Sequence, residues 1–212
     1  MNFLSILALS IFLENALFMR ALGTRRMLVL IKKPHKLAYF GALIIPVTIL
    51  HTSLIWLFNL FFKKFSCYYL FIPLIFMLCM SVVYMLIYGL FKVYFKNFLD
   101  KNLDLIMSVA FNTLIFGTLL LNFSHNYKFL ESLMFGVGSQ IGFMMSTLLV
   151  IEGNNRIQIS KVPKAFKGLP IILIYIGIIS LAFYGFVGHM LPSQFWILKN
   201  NLIISWFFKK IW

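Results

Sequence analysis

Six apolar stretches, each about as long as a bilayer crossing, constrain this chain more than any other feature. They cover roughly residues 2–22, 37–62, 67–91, 103–123, 129–151 and 169–191. About 20 apolar residues at 1.5 Å rise cross a hydrocarbon core. Hydrophobic residues make up 62% of the chain and charged residues 11%, against about half and about a quarter in soluble domains. Lipid demands that backbone polar groups be satisfied internally, which helices do. Strand-like alternation is missing. The expected fold class is therefore an all-α membrane protein with six transmembrane helices, in one integral domain over residues 1–192. Residues 193–212 are basic and Trp-rich, which suits either a segment lying in the interface or an idle extension. The first stretch has no basic n-region and carries Glu14, so it reads as a span and not as a leader.

The net charge of +14 would suggest nucleic acid on a soluble protein. Here Lys and Arg gather between apolar runs, so topology explains them and no nucleic-acid partner is expected. The loops after the first, third and fifth spans hold Arg20, Arg25, Arg26, Lys32, Lys33 and Lys36, then Lys92, Lys96 and Lys101, then Arg156, Lys161, Lys164 and Lys167. Lys63, Lys64, Lys128, Lys199, Lys209 and Lys210 fall on the other side. The positive-inside rule then puts the denser set in the cytoplasm and both termini outside. Six spans divide into two three-helix halves, and an odd number per half inverts the second half. Asn15-Ala16-Leu17 before Gly23 and Asn112-Thr113-Leu114 before Gly117 form a short echo between the halves. Inverted repeats place working sites near the midplane.

Few polar residues interrupt the spans. Glu14 lies within an apolar run, where a carboxylate is costly unless paired or protonated. It reads as an ion or proton relay, or as a carboxyl near the outer water surface or bonded to a neighbouring helix. His51 has the same two readings, proton transfer or a satisfied interhelical imidazole. Asn15 and Asn112 suit helix packing. Gly136, Gly138, Ser139 and Gly142 form a small-residue stripe beside Gln140. That stripe is an expected close-packing interface, within the chain or with a partner. Cys67 and Cys79 form no CxxC pair and read as structural. His35, His125 and His189 are too scattered for a metal site. Asp100 is a candidate cap for the fourth helix. Phosphate-loop, zinc-protease and nucleophile-elbow motifs are missing.

Three segments together carry a resemblance. They are Leu13-Glu14-Asn15-Ala16-Leu17-Phe18 with Leu22-Gly23, then Phe129-Leu130-Glu131-Ser132 with Gly136 and Ile141-Gly142-Phe143, and finally Val162-Pro163-Lys164-Ala165-Phe166-Lys167-Gly168 with residues 179–188. Their order and spacing resemble the A component of the Rnf/Rsx ion-translocating electron-transport complex and its homologue, the E component of the sodium-translocating NADH:quinone reductase. The Phe after the Val-Pro pair leans toward Rnf/Rsx A.

That resemblance implies a multi-pass component of the bacterial inner membrane, with both termini periplasmic. It implies that the partners are RnfB, RnfC, RnfD, RnfE and RnfG, with RnfE as a sister of opposite topology. It also implies a [2Fe–2S] cluster held in mid-membrane by two Cys from each sister, with ion movement coupled to electron transfer. The positions that correspond to this chain's share of the cluster ligands are Arg25 and Thr113. Neither supplies the thiolate that such clusters use, so this chain is expected not to bind the cluster. Met85, Tyr88 and Met107 also replace a Gln, a Glu and a Pro of the family pattern. Beside membership of the redox complex, two alternatives stand: a structural scaffold without redox role, and an independent small-molecule or cation permease.

Overall fold

The computed structural model describes residues 3–62, 68–94, 96–125 and 127–187. Cys67, Lys63, Lys64, His189 and the tail lie outside the described residues. Among those described there are helices and no strands. In chain order they are α1 (Phe3–Ala8) with a π-helical continuation (Leu9–Leu13), α2 (Thr24–Lys32), α3 (Lys36–Phe62), α4 (Tyr68–Tyr94), α5 (Lys96–Ala110), α6 (Thr113–His125), α7 (Phe129–Ile159), a 3₁₀ turn (Lys164–Phe166) and α8 (Leu169–Val187).

Four segments are long and apolar enough to cross a membrane: Lys36–Phe58, Ile72–Tyr94, Leu103–His125 and Phe129–Ile159. Phe3–Leu13 and Leu169–Gly185 are shorter apolar helices. The chain is a multi-pass membrane protein on this ground. Two expectations need correction. The stretch over residues 2–22 is not one helix, because helical structure stops at Leu13 and resumes at Thr24. The stretch over 103–123 is broken at Phe111 and Asn112, between α5 and α6. The fifth stretch also runs on to Ile159. At 31 residues it is roughly 46 Å long and outreaches the hydrocarbon core. Asp100 lies inside α5, which already starts at Lys96, and so does not stand at the helix N-terminus.

α7 is the post around which the bundle is built. Its N-terminus is held by Glu131, whose carboxylate accepts the Lys128 N–H at 3.0 Å, the reciprocal half of a capping box. Its buried residues include many small or polar ones, Ser132, Gly136, Gly138, Ser139, Gln140, Gly142, Ser146 and Thr147, together with the apolar Phe135, Phe143, Val150 and Ile151. Leu130, Met145, Leu148 and Leu149 point outward. α4 is apolar on both sides, with Phe76 and Val83 buried and Met85 and Val93 exposed. Apolar side chains gain nothing from leaving lipid for another helix, so close approach and polar bonding decide which face turns inward.

The small residues set two helix crossings. A Cβ on Gly138 would collide with Ser10 Oγ, and one on Gly142 would lie 3.0 Å from Ile11 O and 3.1 Å from Ile11 Cα. These contacts advance together along both helices, so α1 runs parallel to α7. On another side, a Cβ on Gly136 would meet Thr48 and Thr52, while Gly41 faces Met144. That order makes α3 antiparallel to α7. Thr48, His51 and Thr52 are buried in α3. Each returns a polar atom to the carbonyl four residues earlier, at 2.7–2.8 Å, which is how a lipid-embedded helix accommodates polar side chains.

Gly142→Val forces the backbone of α1 away from α7. We expect it to destabilise the purified protein by about 2–3 kcal/mol, read as a lowered Tm in detergent. Gly89→Ala, where nothing lies within 4 Å of the added carbon, is the matched control and leaves Tm unchanged or slightly raised. Equal Tm values for the two variants would refute this packing.

Candidate functional site

The two helix breaks are where the sequence puts its few buried amides. Asn15 Oδ1 accepts the N–H groups of Leu17 at 3.1 Å and Phe18 at 3.2 Å. Its Nδ2 donates to Ile11 O at 2.9 Å and to Gly142 O at 3.2 Å. One side chain thus serves the end of the π-helical turn, the start of the following turn, and α7. Ser146 Oγ lies 2.9 Å from Asn15 Oδ1 and 2.8 Å from Gly142 O, and its single proton serves one of them at a time. The turn closes with Ala21 at φ 54° and Gly23 at φ 75°. Left-handed backbone is ordinary for glycine and uncommon for alanine.

The second break repeats this chemistry with fewer partners. Asn112 Oδ1 accepts the Leu114 N–H at 3.1 Å, capping α6. Its Nδ2 is buried without a hydrogen-bond partner.

The starts of α2 and α6 meet. A Cβ on Gly23 would lie 3.3 Å from Leu114 Cβ and 2.8 Å from the Phe143 ring, and a Cβ on Gly117 would collide with Leu22. Gly23 and Gly117 are therefore needed for close approach. Arg25 and Thr113, each within one turn of this meeting point, are both exposed. Arg26 turns inward and lies over the Phe40 ring, 4.9 Å from its centroid, a cation–π contact. A guanidinium and a hydroxyl offer no thiolate, so the two positions do not fit a [2Fe–2S] cluster. Cys79 is buried in α4. Among the described residues no three His, Cys, Asp or Glu side chains gather at a metal-binding distance.

Glu14 stands at the first break. Its Oε2 lies 3.3 Å from His125 Nε2, and both side chains are partly exposed. The oxygen makes no hydrogen bond of good geometry, so the contact is ionic when the imidazole is protonated. Tyr127 stacks on His125, ring centroids 5.1 Å apart. His51 is elsewhere, fully buried in α3 with Nε2 unpartnered. Ser139 Oγ and both amide atoms of Gln140 are also buried without partners. Sequence reasoning singled out Glu14 and Asn15 but missed Ser146, His125 and Tyr127 as their neighbours. For Ser146 a signal existed, since it lies one helical turn beyond Gly142 on the small-residue face.

The chain has relatives among known proteins. A family model described as "Rnf-Nqr subunit, membrane protein" matches residues 3–190. The A component of the ion-translocating oxidoreductase complex of Vibrio cholerae is 38% identical over 80 residues, which is 38% of this chain and 42% of that protein. The A component of the Na(+)-translocating ferredoxin:NAD(+) oxidoreductase complex of Acetobacterium woodii is 36% identical over 83 residues, 39% of this chain and 43% of that protein. The matched segment thus spans less than half the length of these relatives.

The two caps differ in what their loss costs. Asn15→Ala removes a cap and leaves Gly142 O and Ser146 short of a partner, so it costs about 2 kcal/mol, whereas Asn112→Ala removes only a cap and costs about 1 kcal/mol. The reverse order of Tm losses in detergent would contradict the geometry. The Tyr127 phenol is pushed above its ordinary value, first by burial, then by the charges of Glu14 and Glu131. A negative charge disfavours the phenolate, so Glu14→Gln lowers the Tyr127 midpoint. Absorbance titration against a Tyr127→Phe background reads this directly, and an unmoved midpoint would separate Glu14 from Tyr127.

Proposed function

This chain belongs to the Rnf-Nqr family of membrane-protein subunits, and from that premise we propose that it is the A-type membrane component of a multi-subunit oxidoreductase that couples electron transfer to ion translocation. Its own part in that complex is to hold the membrane sector together, not to carry electrons. The observation that carries this reading is the pair of facing helix starts, whose family ligand positions hold Arg25 and Thr113. In support, Gly23 and Gly117 let the two helix starts approach closely, while Arg25 and Thr113 supply no thiolate.

On this reading the chain has six spans in two inverted halves. In support, residues 3–94 open on a broken pair, α1 and α2, and continue with long α3 and α4. Residues 96–187 open on a broken pair, α5 and α6, and continue with α7 and α8. An Asn caps the chain after each break. The membrane is the bacterial inner membrane and both termini are periplasmic, which the Lys/Arg distribution favours. The partners are RnfB, RnfC, RnfD, RnfE and RnfG, with the sister RnfE opposite the two helix starts. Glu14 with His125 is the proposed ion or proton relay. His51, whose Nε2 has no partner, is a further candidate on that route.

Purifying the complex through a tag on this chain tests both halves of the proposal. Flavin-bearing partners are expected to co-purify, and Arg25→Ala and Thr113→Ala are expected to leave electron transfer unchanged. A chain that purifies alone and moves solute in liposomes would be a permease instead. A low-potential [2Fe–2S] signal in EPR that vanishes in either variant, with the complex still assembled, would restore an electron-carrying role.

A further inference from the structure

A cleft of about 770 Å³ opens between α2, the last turns of α7 and the start of α8. Its volume is within the roughly 300–1,000 Å³ of small-ligand sites. Four cations line it, Arg25, Lys32, Lys33 and Lys167, and no acidic residue does. All four are exposed, and none takes part in either ion pair found among the described residues. Asn154, Gln158 and Ser160 add neutral polar groups. The remaining wall is apolar, with Leu28, Ile157 and Ile172 among its members. Ile172 belongs to α8, an apolar helix that begins at Leu169. The cleft therefore combines cations with an apolar wall that continues into α8.

We propose that this cleft binds the headgroup of an anionic phospholipid, with an acyl chain lying along the apolar wall. Charge selects the occupant. Four cations without a carboxylate among the lining residues repel one another unless an anion lies between them, and phosphate-bearing headgroups supply one at the membrane surface. The apolar wall selects a lipid over a free anion, because a bare phosphate leaves Leu28, Ile157 and Ile172 uncovered. A neutral headgroup satisfies neither end as well. The location agrees with basic pockets between transmembrane helices, which hold anionic headgroups on the positively charged side of membrane proteins. The cleft shares Arg25 with the helix starts of the proposed function, so the test rests on Lys32, Lys33 and Lys167, which that reading does not use.

Native mass spectrometry of the full chain in mild detergent provides the test, with phosphatidylglycerol, phosphatidylcholine and inorganic phosphate as separate probes. Phosphatidylglycerol is expected to bind at least about tenfold more tightly than phosphatidylcholine, and the difference should shrink with added salt. Each neutralised lysine is expected to weaken it by up to about fivefold. The triple variant Lys32→Gln, Lys33→Gln, Lys167→Gln therefore loses the preference, while Lys92→Gln, Lys96→Gln, Lys128→Gln retains it. Tm of both triple variants should match the parent, since the exchanged side chains are exposed. Retained preference in the first triple variant overturns the proposal. So does full displacement of phosphatidylglycerol by millimolar inorganic phosphate, which would make this a free-anion site. In the assembled complex, a photoactivatable phosphatidylglycerol should label the peptide that contains Lys167. Cross-linking of Val29→Cys to a neighbouring protein of the complex, with no lipid label, would show a protein in the cleft and overturn it as well.

Discussion

A backbone that stops being helical where water is excluded must find partners for its amides and carbonyls within the protein. This fold meets that requirement twice, after Leu13 and after Ala110. At the first break the Asn15 amide bonds to the carbonyls of Ile11 and Gly142 and receives two backbone N–H groups. An Asp would lack the donors and a Ser would lack the reach. The rest of the architecture depends on this. α1 approaches α7 closely enough for Asn15 to reach Gly142 because Gly138 and Gly142 have no side chains to hold it off. Ser146 then occupies the next turn of the same face.

The same constraint sorts residues between inside and outside. Lipid is as apolar as Leu, so burial of Leu is not rewarded over exposure. What turns inward is what packs tightly or bonds: Thr48, His51 and Thr52 on α3, and Ser139, Gln140, Ser146 and Thr147 on α7. Several of these bond within their own helix, so the polar stripe leaves the helical ladders intact. Gln140, the Oγ of Ser139 and the Nε2 of His51 are not satisfied in this way. They stand out as the polar groups that helix formation alone does not account for.

Much of this was legible in the sequence, and the missing parts have a physical pattern. Apolar length located α3, α4 and α7 well, because span length answers to bilayer thickness. It located 103–123 as well but not the break inside it, and it missed that helical structure in residues 2–22 stops at Leu13, because hydropathy is blind to backbone conformation: a broken helix and a continuous one are equally apolar. The Asn15 and Asn112 echo was the available trace of both breaks, yet an Asn within an apolar run also suits ordinary helix packing. Glu14 was legible as costly in lipid. Its neighbour His125 was not, since a long stretch of chain separates a pair that only the tertiary packing of α1, α6 and α7 brings to 3.3 Å. The small stripe over Gly136 to Gly142 was legible as an interface, but whether it served the chain or a partner required the positions of Ser10, Ile11 and Thr48.

The two helix starts also show how, on the proposed reading, the chain could keep its packing without cluster ligands at positions 25 and 113. Nothing that closes the breaks uses position 25 or 113. Asn15, Asn112, Gly23 and Gly117 close them through caps, a left-handed turn and close contact with Leu22 and Leu114. Arg25 and Thr113 are exposed. Exchanging a thiol for a guanidinium at such a position therefore changes the surface chemistry without disturbing the core. In this chain that surface is positive at position 25, where Arg25 joins Lys32, Lys33 and Lys167 around one cleft. On the proposed reading, scaffold and ligand positions are structurally separable here, since the residues that close the breaks are not the ones at positions 25 and 113.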